Sequence, residues 1–243
     1  MPKAKRAPAD PERFQEASDW FRGRVAVTPA EWRAMNSAER RQAFTVAGAQ
    51  SLRVVQAVLD ALQVAIDSGV PLAKWRKDLK RDLKRDFASI DSAHLTTAFI
   101  NAHQTAYATG RYYQLSDPSV TSAMPYLMVD AILDNRTTAL CRGLNGTIRR
   151  HDDPWWLTHW NPYHHRCRTT IRALTESMAK RRGGVTEKLP RPPIPDDWGL
   201  APPLRAGQVW EPKREDFDPS AWAIYEASQQ RMRARRANDN DGK

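Results

Sequence analysis

Tyr126-Leu127-Met128-Val129-Asp130-Ala131-Ile132-Leu133 is where the hydrophobic pattern of this chain changes period. Leu127, Val129 and Ala131 alternate with Tyr126, Met128 and Asp130, which is the two-residue repeat of a strand. Downstream, Asn145-Gly146 lies between Leu144 and Thr147-Ile148 and predicts a hairpin turn, because both residues tolerate positive φ. Thr169-Thr170-Ile171-Arg172-Ala173-Leu174 then reads as a closing strand.

Upstream of this stretch the period is helical. Thr28-Pro29-Ala30-Glu31 offers a capping hydroxyl, a proline at the first helical position and a glutamate three residues after the cap, opening a short helix near 29–35. A long helix is expected from about 38 to 67, where Leu52, Val55, Leu59, Leu62 and Ile66 recur at three- and four-residue steps; Ser68-Gly69 ends it. A third helix runs from Pro71 through Phe87. Its Lys74, Lys77, Lys80, Lys84 and Arg85 alternate with Asp78, Asp82 and Asp86, the pattern of a solvated face. A fourth runs from Ser92 to Leu115 and stops before Asp117-Pro118.

The fold class is therefore α+β. A flexible N-terminal tail (1–27) precedes an N-terminal helical domain (28–118) and a small β-rich Cys/His/Trp subdomain (119–180). An extended Pro-rich C-terminal arm (181–243) follows, because eight of the 17 prolines fall between Pro190 and Pro219 and remove regular backbone donors. A short helix near 221–233 closes the chain.

Composition narrows the function classes. With 243 residues, 41% hydrophobic and 27% charged, the chain is neither disordered nor membranous. No segment is long and apolar enough to span a bilayer, and the basic N-terminus lacks the apolar run of a secretory signal. The formal charge of +10 favours an anionic partner such as nucleic acid, but the basic residues are scattered. Two cysteines exclude a disulfide-rich scaffold and suit a reducing cytoplasm.

Chemistry concentrates between Asp134 and Thr170. This stretch holds both cysteines (Cys141, Cys167), His151, His159, His164 and His165, and Trp155, Trp156 and Trp160. His164 and Cys167 are three apart, so one tight turn can bring both to one ion, with Cys141 as a third ligand and Asp134 or His151 as a fourth. A structural zinc would add folding free energy of order 10 kcal/mol to a subdomain with little core of its own. The paired Cys-x-x-Cys knuckles of zinc modules are missing, however, and isolated cysteines also read as small buried hydrophobes. His94, His103 and His159 read as packing or hydrogen-bonding residues. The three tryptophans read as core, with base stacking as the alternative.

In these residues the sequence resembles the phage head morphogenesis proteins, also called Mu F-like minor head proteins. The family order of motifs appears as Asp134-Asn135-Arg136-Thr137, Cys141, Leu144-Asn145-Gly146, Asp152-Asp153-Pro154-Trp155 and Asn161-Pro162-Tyr163-His164-His165-Arg166-Cys167-Arg168. Ala102-His103-Gln104-Thr105-Ala106-Tyr107-Ala108-Thr109-Gly110-Arg111 is similar to a helix further upstream, so that the resemblance covers about 45–175. Thr169 departs from the family by standing where a second cysteine is frequent, which removes one soft ligand. His103-Gln104 replaces a Thr-Glu pair.

The resemblance implies a small α+β Mu F-like subdomain at 119–180, held together by Asp134, Arg136, Thr137, Cys141, Gly146, His164, Cys167 and Arg168. It also implies a non-enzymatic minor capsid protein near the portal. The implied partners are the portal protein, the major capsid protein and packaged double-stranded DNA bound without sequence readout. Its expected locations are the head interior and, during assembly, the host cytoplasm. Two rival classes are a metal-dependent nuclease using His164, His165 and Asp134, and a free DNA-binding regulator; neither finds a second carboxylate motif or a DNA-reading motif.

Overall fold

The computed structural model describes residues 15–83 and 90–202, with isolated positions 214, 223, 226 and 230. The expected terminal helix near 221–233 therefore lies outside the continuously described residues.

Local capping fixes the helical half. At α2 (Pro29–Ala34), the Glu31 N–H donates to the Thr28 hydroxyl at 3.2 Å and the Thr28 N–H donates to the Glu31 carboxylate at 2.6 Å. Ser51 caps α4 (Leu52–Ser68), and Gly69 ends it in the left-handed region at φ 62°. Leu52, Val55, Leu59, Leu62 and Ile66 are all buried along the inner face. On α5 (Leu72–Leu83), Trp75, Leu79 and Leu83 point inward while Lys74 pairs with Asp78 at 2.7 Å on the outside. Asp91 caps α6 (Ser92–Ser116).

Three expectations need correction. The helix expected over 38–67 is broken: α3 (Ser37–Arg40) is followed by β2 (Ala43–Phe44), which pairs in parallel with β1 (Val25–Ala26). The apolar stripe that predicted a helix begins only at Leu52. Before it, Gly48 sits at φ 83° and Val25 and Val27 donate to the carbonyls of Gln42 and Phe44.

The expected tail also contains structure. Residues 15–22 form α1 (Gln15–Arg22), whose Ala17 and Phe21, four apart, are buried in the helical core. Gly110 of α6 makes this docking close, since a Cβ there would stand 3.3 Å from the Ala17 Cβ. Gly110→Val is expected to destabilise the chain by about 1–3 kcal/mol through overpacking. Gly110→Ala should fall closer to neutral, because its helix propensity offsets the clash. Urea unfolding measures both; a Val variant as stable as the parent would mean that α1 does not rest on Gly110.

Helix α6 is the common spine. Its first half (Leu95, Phe99, Ala102, Ala106) belongs to the helical core, and its second half (Ala108, Leu115) belongs to a second core with Leu127, Val129, Trp156, Trp160 and Ile171. After α7 (Pro118–Ala123), three antiparallel strands follow in the order β4-β3-β5: β3 (Tyr126–Asp130), β4 (Ile148–Arg150) and β5 (Thr170–Leu174). Leu127 opposes Ala173 and Val129 opposes Ile171 on the face toward α6. Met128, Ile148 and Leu174 occupy the other face, covered by α10 (Glu176–Arg181), while the short α9 (Trp155–Thr158) lies between β4 and β5 in sequence. The fold is thus α+β, with a small sheet buried on both sides.

Asn145-Gly146 does not form the expected two-residue hairpin. Leu144 ends α8 (Ala139–Leu144), inserted between β3 and β4, and Gly146 at φ 80° redirects the chain from that helix into the sheet. Asn145 Oδ1 accepts the Ala131 N–H at 2.8 Å, and the Gly146 N–H donates to Val129 at 2.8 Å. The same dipeptide thus closes the loop between the strands by another geometry.

The arm is pinned where it is described. Ile148 donates to Thr186 Oγ1 and accepts the Thr186 N–H; Trp160 donates through its backbone to Gly199 at 2.7 Å; and Ala201, fully buried, donates to Leu157. No helix among the described residues is long and apolar enough to cross a membrane.

Candidate functional site

The motif residues near Asp134 form one hydrogen-bonded loop. Asp134 accepts the Arg136 N–H at 2.9 Å, its own N–H donates to Thr137 Oγ1 at 2.8 Å, and the Thr137 hydroxyl donates to Ile132. Short polar side chains close such turns upon their own backbone. Arg168, beside the start of β5, grips both Asp134 oxygens at 2.7 and 2.6 Å. This fork holds the Asp134 carboxyl well below its usual range, with the Arg136 N–H and Thr137 adding to the effect against desolvation. Arg136 itself remains exposed, with its guanidinium 3.8 Å from Asp134.

Because the folded carboxyl is held below its unfolded value, this stabilisation is present above the ordinary carboxylate pKa and is lost as pH falls through the lowered one. Asp134→Asn is therefore expected to reduce the denaturation midpoint at neutral pH, and the gap from the parent should narrow progressively below about pH 4. A gap independent of pH would assign the loss to the turn rather than to the ion pair.

The second part of the site is brought together by α8 and the 163–168 loop. Thr138 caps α8 and receives the Cys141 N–H at 3.2 Å, which places the Cys141 thiol at the inner end of the first turn. Arg166 adopts φ 55°, an uncommon conformation for a side-chain-bearing residue. Helix α6 holds it there: the Arg166 N–H donates to Asn101 Oδ1 at 2.8 Å, and its guanidinium donates to Thr97 Oγ1 at 2.8 Å and the Ala93 carbonyl at 3.0 Å. Asn101 also bonds His165 Nδ1 at 2.7 Å.

The turn brings His164 and Cys167 to Cys141. Cys141 Sγ lies 3.0 Å from His164 Nε2 and 3.8 Å from Cys167 Sγ, and one donor atom from each residue falls within 4.8 Å of the others. Both cysteines are free and buried. Contact with Cys167, with Thr169 and Thr138 adding to the effect, holds the Cys141 thiol below the usual thiol range despite burial. The reverse contact and burial push Cys167 far up.

Of the expected metal candidates, the structure gathers Cys141, His164 and Cys167 and leaves Asp134 out. Its carboxylate is committed to Arg168, and no carboxylate joins the thiol–imidazole cluster among the described residues. His151 is likewise outside the cluster; its backbone N–H donates to Pro125. His103 stacks on Phe99 at 4.0 Å and bonds that residue's carbonyl, while His159 stacks on Trp155 at 4.1 Å. Burial lowers the pKa of both imidazoles. Trp156 and Trp160 are buried in the second core, which leaves neither ring face for a base. Sequence reasoning missed Thr97, Asn101 and Thr138, whose roles depend on contacts with the 163–168 loop; only the hydroxyl before α8 carried a local signal, that of a cap.

A separate cleft of about 650 Å³ opens between the helical half and the arm. Trp20, Trp32 and Trp198 line it, together with His165 and the Arg40–Asp197 pair.

Comparison with known proteins finds a family similar to this segment. The family described as "Phage Mu protein F like protein" matches residues 56–172, from within α4 into β5. The putative capsid assembly protein F of Escherichia phage Mu is 26% identical over 186 residues, covering 70% of this chain and 42% of that protein. The Mu-like prophage FluMu F protein of Haemophilus influenzae is 28% identical over 165 residues, covering 63% of this chain and 39% of that protein. The chain thus spans about two fifths of the length of these relatives. No solved structure matches. The matched segment contains the spine helix, most of the small sheet, the Asp134 loop and the thiol–imidazole cluster, and over it this chain is similar to the phage Mu protein F-like family.

Proposed function

We propose that this chain is a minor head protein of a tailed phage or phage-like particle. In this reading it sits inside the head at the portal vertex, assists head morphogenesis, and touches packaged double-stranded DNA without reading its sequence. The observation that carries the reading is the family match across 56–172, supported by the phage Mu relative, whose name describes capsid assembly. The formal charge of +10 supports contact with phosphates. The portal protein and the major capsid protein are the proposed protein partners.

The geometry favours a structural role over phosphodiester cleavage. A nuclease metal needs oxygen ligands with open positions for water and phosphate. Here Asp134 is held by Arg168, His165 is held by Asn101, and His164 faces two sulfurs.

The test is quantitative mass spectrometry of purified particles, before and after nuclease treatment and high-salt washing. A few to some tens of copies retained per particle are expected. Absence from both finished particles and empty precursors would reject the reading. Gel retardation separates the DNA roles: uniform, salt-sensitive binding is expected, and a sequence-dependent footprint would point to a regulator.

A further inference from the structure

We propose that Cys141, His164 and Cys167 form a zinc site, with two thiolates and one imidazole from the chain and a solvent molecule in the fourth position. The spacing of the donors carries the proposal. With Zn–S bonds of about 2.3 Å, two sulfurs of a tetrahedral ion stand about 3.8 Å apart. Cys141 and Cys167 are 3.8 Å apart. The same geometry sets a sulfur–nitrogen edge of about 3.6 Å. The Cys141–His164 distance of 3.0 Å reaches this with a small withdrawal of the imidazole.

The histidine is already in the required tautomer. His164 Nδ1 lies 2.7 Å from the His165 carbonyl, which can only accept, so Nδ1 carries the proton and Nε2 presents its lone pair to the sulfurs. The surroundings orient the sulfurs as well. Thr138 accepts the Cys141 N–H at 3.2 Å, and its hydroxyl stands 3.1 Å from His164 Nε2. Two thiolates balance the charge of the ion, while the neighbouring Asp134–Arg168 pair is neutral in itself. The fourth position falls to solvent because the cluster gains no fourth His, Cys, Asp or Glu among the described residues. Cys141 and Cys167 are buried and His164 is partly exposed, so the ion would have one accessible side.

The site joins α8 to the loop that docks on α6, so metal binding would fasten the small subdomain to the spine. This inference is independent of the role in heads.

The experiment uses the full chain, purified under reducing conditions, with metal content measured after dialysis. About one zinc per chain is expected. Replacement by cobalt(II) should give a thiolate-to-cobalt charge-transfer band and the visible bands of a four-coordinate ion. A chelator should lower the melting temperature and expose both thiols to alkylation. Cys167→Ser and His164→Ala should each lose most of the metal, and His151→Ala should keep it; circular dichroism checks that each variant is folded. If a ligand variant does not fold, chelator-dependent alkylation of the parent chain decides. A folded, reduced parent without zinc and without cobalt bands would overturn the proposal. So would an all-oxygen, six-coordinate cobalt spectrum, or metal retained in folded Cys167→Ser.

Discussion

Replacing Trp160 by alanine is expected to lower stability by about 3–5 kcal/mol, the range for removing a large buried aromatic side chain. Trp160 is 1% exposed and stands at the junction of three parts of the chain. Its indole N–H donates to the Ala108 carbonyl of α6 at 2.9 Å, and its ring meets Tyr112 edge-on at 4.9 Å. Its backbone N–H donates to Gly199 of the arm. Loss of the indole hydrogen bond adds about 1 kcal/mol to the cavity that remains. Trp155→Ala is the comparison, because Trp155 is only half-buried and lies at the rim of the same core. Equilibrium urea unfolding monitored by circular dichroism compares the two. Equal losses would contradict the central placement of Trp160.

Gly199→Ala should cost about 3 kcal/mol, combining overpacking with left-handed strain. Gly199 lies at φ 74°, and a Cβ there would meet Ile194 Cγ2 at 2.8 Å and the Thr158 carbonyl at 2.9 Å. Gly183→Ala separates the two causes: Gly183 has φ 94° with no heavy atom within 4 Å of the added Cβ. Its variant should carry the backbone strain alone. The difference between the variants therefore measures how firmly the arm is packed beside Trp160, and early proteolysis of the arm in Gly199→Ala would report its release. Equal unfolding midpoints for the two variants would show that the arm does not press against Thr158.

The helix boundaries at Thr28, Gly69 and Ser92 were legible because a cap or stop is satisfied within a few residues of itself. The buried stripe of α4 was legible for the same reason, since its period is set by the helix alone. The interruption at Ala43–Phe44 was not. Two short strands become strands only when the chain returns to pair them, and neither has a local period. Helix α1 left a faint signal in Ala17 and Phe21, but its stability rests on the space beside Gly110, more than eighty residues away in sequence.

The candidate site divides in the same manner. Sequence alone determined the α+β class, the motif loop at Asp134 and the residue types able to hold a soft ion. Tertiary structure decided which of them meet. Cys141 is 26 residues from Cys167, and their approach depends on Arg166 being held at positive φ by Thr97 and Asn101 of α6. Asp134 was committed instead to Arg168, 34 residues away. Hydrogen bonds to nearby backbone are encoded by spacing, whereas contacts that close long loops must offset chain entropy and form only where the rest of the fold has already placed both partners.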